Sequence, residues 1–235
     1  EHKLGIHGSP TCVMQFDRAK GWLVGAPHKG MAAMFTMMNN ARLSVAAQGV
    51  GVAEAALQHA LAYAADRRQG ATPLGRDGAI IDHADVRRML ALMRAEVFAA
   101  RAIALSCAVA IDMATATGSA EWQARAAFLT PIAKAHGTDI GCEVSHLGVQ
   151  IHGGMGFIEE TGAAQFSRDA RITPIYEGTN GIQAMDLVGR KMQDHGDAAF
   201  RLIDEVQRGA EAARATLPDL AGDVWQASEA LREAT

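Results

Sequence analysis

Aromatic residues are scarce in this sequence: Phe, Trp and Tyr together make up 5% of 235 residues. A β-sandwich draws heavily on aromatic and β-branched side chains, so that class is disfavoured. Abundant alanine and 11 Met suit closely packed helices instead. Cysteine is nearly absent. Cys12, Cys107 and Cys142 are odd in number and far apart, and no CxxC pair occurs. Neither a zinc site nor a disulfide framework is supported, and a reducing, cytoplasmic setting is expected. The formal charge of −4 provides no electrostatic reason to expect nucleic acid. No apolar run is read as approaching a membrane span. The opening "EHKLGIHGSPTCVMQFD" lacks a signal-peptide pattern and reads like the middle of a fold. His146 and His152 stand on different faces of a helix, and the nine histidines show no metal spacing. No GxSxG nucleophile motif is present.

What is present is a large apolar fraction, 49%, against 20% charged residues, enough for a sizeable core. Residues 1–28 are broken by Gly5, Gly8, Pro10, Gly21, Gly25 and Pro27, with short extended pieces at Cys12–Phe16 and Trp22–Val24. From about Gly30 the period becomes helical. Val50, Ala53, Leu57 and Leu61 form one stripe, and Gly70 is a stop signal. The loop 70–81 is rich in Gly and Pro. Asp82 is a candidate N-cap for a second helix whose stripe is Val86, Leu90, Met93, Val97, Ala100, Ala104, Cys107 and Ile111. Steps alternating between three and four are a bundle seam. Gly118 ends it and Ser119 can cap a third helix, with Phe128, Ile132 and Ala135 inward, running to about Ile151. A shorter helix follows "EGTNG", with Ile182, Met185, Val188 and Met192 expected on its inner face. The tail from Gly196 holds eight acids and four arginines in two amphipathic pieces split near Pro218. The fold class expected is mainly α: a short β remnant over 1–28, an up-down helical bundle over 29–195 and a helical tail over 196–235.

Several positions carry a bland and a chemical reading side by side. In "IYEGTNGIQ", Glu177 is either a turn acid near a helix N-terminus or a base whose apolar neighbours raise its pKa. Gly178 would let a ligand reach the backbone. The glycines of "VQIHGGMGF" end a helix or admit a ligand; the context is not that of a dinucleotide-binding GxGxxG. Arg67-Arg68 suit a helix C-terminus, or a phosphate. Arg42, alone in "NNARLSVAAQG", either snorkels or reads a ligand. Met31, Met34, Met37 and Met38 read as core filler rather than a cofactor box.

Taken jointly, "ARLSVAAQGVGVAEAALQHALAYAADRRQG", "VQIHGGMGF" and "SRDARITPIYEGTNGIQ" resemble the acyl-CoA dehydrogenase family, in the family's order, over roughly residues 1–192. The resemblance is to the end of its middle β-domain plus its C-terminal helical domain. The long loop "RRQGATPLGRDGAIIDH" is most similar to the 3-methylmercaptopropionyl-CoA dehydrogenase branch. The resemblance implies FAD-dependent α,β-desaturation of an acyl-CoA thioester. Glu177 would be the base that takes the α-proton while hydride passes to flavin N5, and Arg42 and Gly178 would lie on the substrate side. Arg67, Gln150, Gly153 and Gly154 would reach the FAD of a neighbouring subunit, and Thr179 and Gly181 the flavin. A homodimer or dimer of dimers and an electron-transfer flavoprotein as electron acceptor are implied likewise. Ala41 occupies the position where one branch of the family carries its base. Gly70, Gly181, Asn39 and Ala84 depart from the usual Phe, Gln, acid and Gln. An acyl-CoA oxidase, or a non-catalytic helical association module, are the competing readings.

Overall fold

The computed structural model describes residues 1–74 and 78–235, apart from the side chain of Asn39. The expected acyl-CoA contacts near Asn39 and the centre of the 70–81 loop therefore lie outside the described residues. Three long helices carry the fold: α1 (Gly30–Asp66), α2 (Ala84–Thr117) and α3 (Ala120–His152). A short helix α4 (Ala163–Ala170) follows two 3₁₀ turns. Next come α5 (Asn180–Asp186), which runs on into a π turn at Leu187–Lys191, and the tail helices α6 (Asp197–Ala213) and α7 (Pro218–Ala234).

The α2 seam forms as its spacing predicts. Leu90, Met93, Val97, Ala100, Ala104 and Cys107 are buried. The first five of these join Ala53, Leu57 and Ala60 of α1 and Val144 and Ile151 of α3 in one core. Gly118 stops α2 with φ 67°, a left-handed turn that glycine adopts without a Cβ penalty. By length and composition alone α2 could cross a membrane, against the expectation from the sequence. Its seam, however, is packed between α1 and α3. A second core joins Ala46, Phe128, Leu129 and Ala133 to Ala199 of α6. That contact seats the tail on the bundle.

The tightest approach is between α1 and α3. A Cβ on Gly49 would stand 2.2 Å from the Gly137 carbonyl oxygen, and one on Gly141 would stand 3.0 Å from the Gly49 Cα. Three glycines thus let two helix backbones touch.

Some expectations fail, for physical reasons. Cys12–Phe16 and Trp22–Val24 form no strand among the described residues, where the single β-bridge is Arg68 with Ala79. A strand exists only through its partner, and Val13, Phe16, Trp22 and Val24 stay exposed. Met31, Met34 and Met37 are exposed rather than core filler. Helix α1 ends at Asp66, before the Gly70 stop, because Arg67 turns to extended backbone at ψ 125°. Helix α2 is entered through His83, and Asp82 belongs to the 3₁₀ turn ahead of it. Helix α5 is rotated from its expected face. Ile182, Met185 and Val188 are exposed, while Gln183 and Asp186 are buried.

Replacing Gly49 with Ala would normally favour a helix. Here the methyl meets backbone, so we expect a loss of about 1–3 kcal/mol, read as a lowered urea midpoint at unchanged slope.

Candidate functional site

The segment 171–178 is a run of turns between α4 and α5, and it ends on an unusual pair. Glu177 has φ 53° and Gly178 φ 84°. Left-handed backbone is uncommon for a residue with a side chain and needs support from its surroundings. Every neighbouring element supplies some. Tyr176 donates its hydroxyl hydrogen to Gln48 Oε1 on α1. The Asn180 N–H donates to the Pro174 carbonyl at 3.0 Å. Buried Gln183 donates from Nε2 to the Gly178 carbonyl at 3.1 Å. Thr179 caps α5 by accepting the Ile182 N–H at 3.3 Å. A Cβ on Gly178 would lie 2.7 Å from Gln183 Nε2 and 3.9 Å from Arg42 Nη2. The backbone angle thus favours glycine there, and a Cβ would also have to displace the end of Gln183.

Asn180 fastens the turn to α3. Its Nδ2 donates to Asp139 Oδ1 at 2.8 Å and to Thr138 Oγ1 at 3.0 Å. Its Oδ1 accepts from Lys134 Nζ at 2.9 Å. Lys134 is completely buried. Burial lowers its pKa from 10.5 to about 8; Asp139 and Glu177 push it up, and Arg42 pushes it down.

Arg42 neither snorkels nor faces open solvent: it is buried, and Nη1 donates to Asp186 Oδ2 at 2.9 Å. Arg190 holds the other oxygen of Asp186 at 2.5 Å. The ion pair ties α1 to α5, and its Nη2 end lies near Gly178.

The residues expected to hold a cofactor separate into two places. Arg67, Gly153 and Gly154 line one cavity of about 560 Å³, with Tyr63, Gln69 and His152. Space around both glycines is open to an added Cβ, so an approaching group meets bare main chain. His152 stacks on Tyr63 at 4.2 Å between ring centroids, and its Nδ1–H donates to the Gly148 carbonyl at 2.7 Å. Burial lowers its pKa, which favours the neutral ring. A guanidinium beside exposed backbone suits a phosphate-bearing group. Gln150 is exposed on the last turn of α3, outside that lining. Thr179 and Gly181 belong to the other place, the start of α5. Nothing closer than ordinary contact surrounds Gly181, 3.8 Å from Thr179 Oγ1, so no neighbour in this chain demands a glycine there. A larger groove of about 1320 Å³ between α1 and α2 includes none of these residues.

Sequence reasoning missed Lys134, Asn180, Gln183 and Asp186 as members of the site. A signal existed for one of them. Lys134 in "PIAKAHG" is a lone cation among small and apolar residues, the same pattern that drew attention to Arg42.

Residues 28–193 match the family model described as acyl-CoA dehydrogenase, C-terminal domain. The chain is 50% identical over 228 residues to a 3-methylmercaptopropionyl-CoA dehydrogenase of Ruegeria pomeroyi, covering 91% of this chain and 39% of that protein. Its fold is similar to butyryl-CoA dehydrogenase of Megasphaera elsdenii, with TM-score 0.60 and 33% identity over 70% of this chain and 39% of that one. It is similar also to ACDH-11 of Caenorhabditis elegans, solved with C11-CoA, with TM-score 0.77 over 89% of this chain and 35% of that one. At 20% identity that likeness concerns the fold alone. The chain spans about two-fifths of the length of these relatives.

Replacing Arg42 with Met leaves buried Asp186 with Arg190 alone. The expected cost is about 3 kcal/mol, measured as a fall in the denaturation midpoint. Lys134 generates a pH dependence of opposite origin to the usual carboxylate case. Its folded pKa lies below its unfolded one, so between about 8 and 10.5 the unfolded state binds more protons. Stability from this group therefore rises with pH across that window. A Lys134→Met protein should show a flatter urea midpoint between pH 8 and 10.5.

Proposed function

The chain belongs to the acyl-CoA dehydrogenase family, and on that premise we propose that it supplies the base-bearing helical part of an enzyme that desaturates acyl-CoA thioesters. The observation that carries this reading is the left-handed turn at Glu177–Gly178, held by α1, α3 and α5 at once. A solvated turn acid needs no such support. A base that must meet a weakly acidic C–H at fixed distance does.

In this reading Glu177 removes the proton α to the thioester carbonyl. The Gly178 backbone, free of a Cβ, lets the thioester come close. Arg42 stiffens the base's surroundings through its pair with Asp186, so its part is support from beneath the turn rather than contact with free substrate charge. FAD, when bound, supplies the acceptor for the hydride that leaves the β-carbon. Arg67, Gly153 and Gly154 would hold its phosphate-bearing part, with Gln150 on the adjoining turn, and Thr179 and Gly181 would face the flavin. These residues lie in two separate places on one chain. That separation favours two chains completing each other's sites, as a homodimer or a dimer of dimers. Electrons would leave to an electron-transfer flavoprotein. The relative from Ruegeria pomeroyi suggests a short thioether-bearing acyl-CoA as the first substrate to try. The exposed apolar residues of 13–24 and of α5 are where the remaining domains would pack.

The test is Glu177→Gln in the complete polypeptide that carries this chain. FAD should stay bound, by its visible absorbance. Its bleaching by acyl-CoA should slow by at least about a hundredfold. Bleaching at the wild-type rate would remove Glu177 as the base.

A further inference from the structure

Helix α2 carries a second apolar line that the bundle does not use. Its inner seam packs on α1 and α3. On the opposite side Ala91, Ala95, Phe98, Ala102, Leu105 and Val109 recur at alternating steps of four and three. That spacing is a helix-packing seam. These residues are exposed, and Phe98, Leu105 and Val109 are each more than half so. Single apolar residues on a surface need no account, but a continuous row of them does. The row borders the groove of about 1320 Å³ between α1 and α2, whose other wall holds Glu54, Gln58 and Leu61.

We infer that the outer face of α2 binds the same face of a second copy of this chain, antiparallel about a two-fold axis near the middle of the helix. Shape selects that occupant. In the antiparallel register Phe98 meets Ala102, Leu105 meets Ala95 and Val109 meets Ala91, so each bulky side chain is set against an alanine. The two-fold repeats each of these contacts. A parallel pairing would set Phe98 on Phe98 and alanine on alanine, which leaves voids beside clashes. Charge selects the same arrangement. Arg87, Arg94 and Arg101 lie one heptad apart along one edge of the seam, and Asp112 lies further along that edge. Antiparallel pairing brings Asp112 of each copy to Arg87 of the other, whereas parallel pairing brings arginine to arginine. Arg101, close to the axis, is already paired with Glu54 at 2.6 Å, so no bare like charges confront each other there. A bilayer fits this face less well, because hydrocarbon would strip the water from its arginines. The inference places one contact of the assembly and does not depend on which residue is the base.

Sedimentation equilibrium of the complete polypeptide that carries this chain reads the association. Phe98→Glu sets a charge in the seam and should halve the native mass with the far-UV spectrum retained. Asp112→Arg and Arg87→Asp should each raise the dissociation constant by about tenfold, since each mismatch occurs at both ends of the seam. The two reversals combined should restore it. A monomeric wild type overturns the inference, and so does an unchanged mass in Phe98→Glu or a combined variant weaker than either single one. A lower melting temperature at unchanged mass would assign the face to another segment of the same polypeptide. Lost binding to phosphatidylglycerol vesicles at unchanged mass would assign it to a membrane. Either result also overturns the inference. If Phe98→Glu does not fold, the reversal series decides. Because the readout is mass, its failure is distinct from that of Glu177 as the base, which is read by flavin bleaching.

Discussion

The site depends on how closely α1 and α3 approach. Gly49 meets Gly137 and Gly141 backbone to backbone, with no room for a Cβ on Gly49. That contact lies directly under the turn. Gln48, one residue before Gly49, holds Tyr176, and Thr138 and Asp139, next to Gly137, hold Asn180. A wider crossing would separate these two sets of anchors, and the Glu177 turn is stretched between them. Dense packing makes such a crossing nearly rigid, because a shift of one methylene has no void to absorb it.

Rigidity here compensates for strain. Positive φ at Glu177 is unfavourable for a residue with a side chain, and Gln183, Tyr176 and Asn180 together over-determine the conformation. Of these, Gln183 is buried and Tyr176 and Asn180 are half-buried, and buried polar groups need hydrogen-bond partners. Arg42 finds such a partner in Asp186 and Lys134 in Asn180. These pairs also put the ends of Arg42 and Lys134 against the turn, the first near Gly178 and the second on Asn180.

The long elements were legible because periodicity is local. The α2 stripe from Leu90 to Cys107, the stop at Gly118 and the break at Gly153 all follow from spacing and glycine geometry. The site was legible only in part. Glu177, Gly178, Arg67, Gly153 and Gly154 stand out as residues in unusual company. Their anchors do not, since Asp186 is 144 residues from Arg42 and Asn180 is 46 from Lys134. Helix α5 misled for a related reason. Hydrophobic periodicity assumes that apolar means inward, whereas Gln183 and Asp186 point inward to hydrogen-bond and Ile182, Met185 and Val188 point out. The segments at 12–16 and 22–24 misled because a strand pattern carries no information on whether a partner strand is at hand.

By itself, then, the sequence determined the three long helices, their seams and breaks, and the company Glu177 keeps in "IYEGTNGIQ", because each of these is a property of neighbouring residues. Only the tertiary structure decided which face of α5 is buried, that Arg42 is spent on Asp186, and that a buried lysine holds Asn180 at the end of the turn. Those outcomes depend on which distant side chains share a desolvated space, and that is settled by the Gly49–Gly137 crossing rather than by any local pattern.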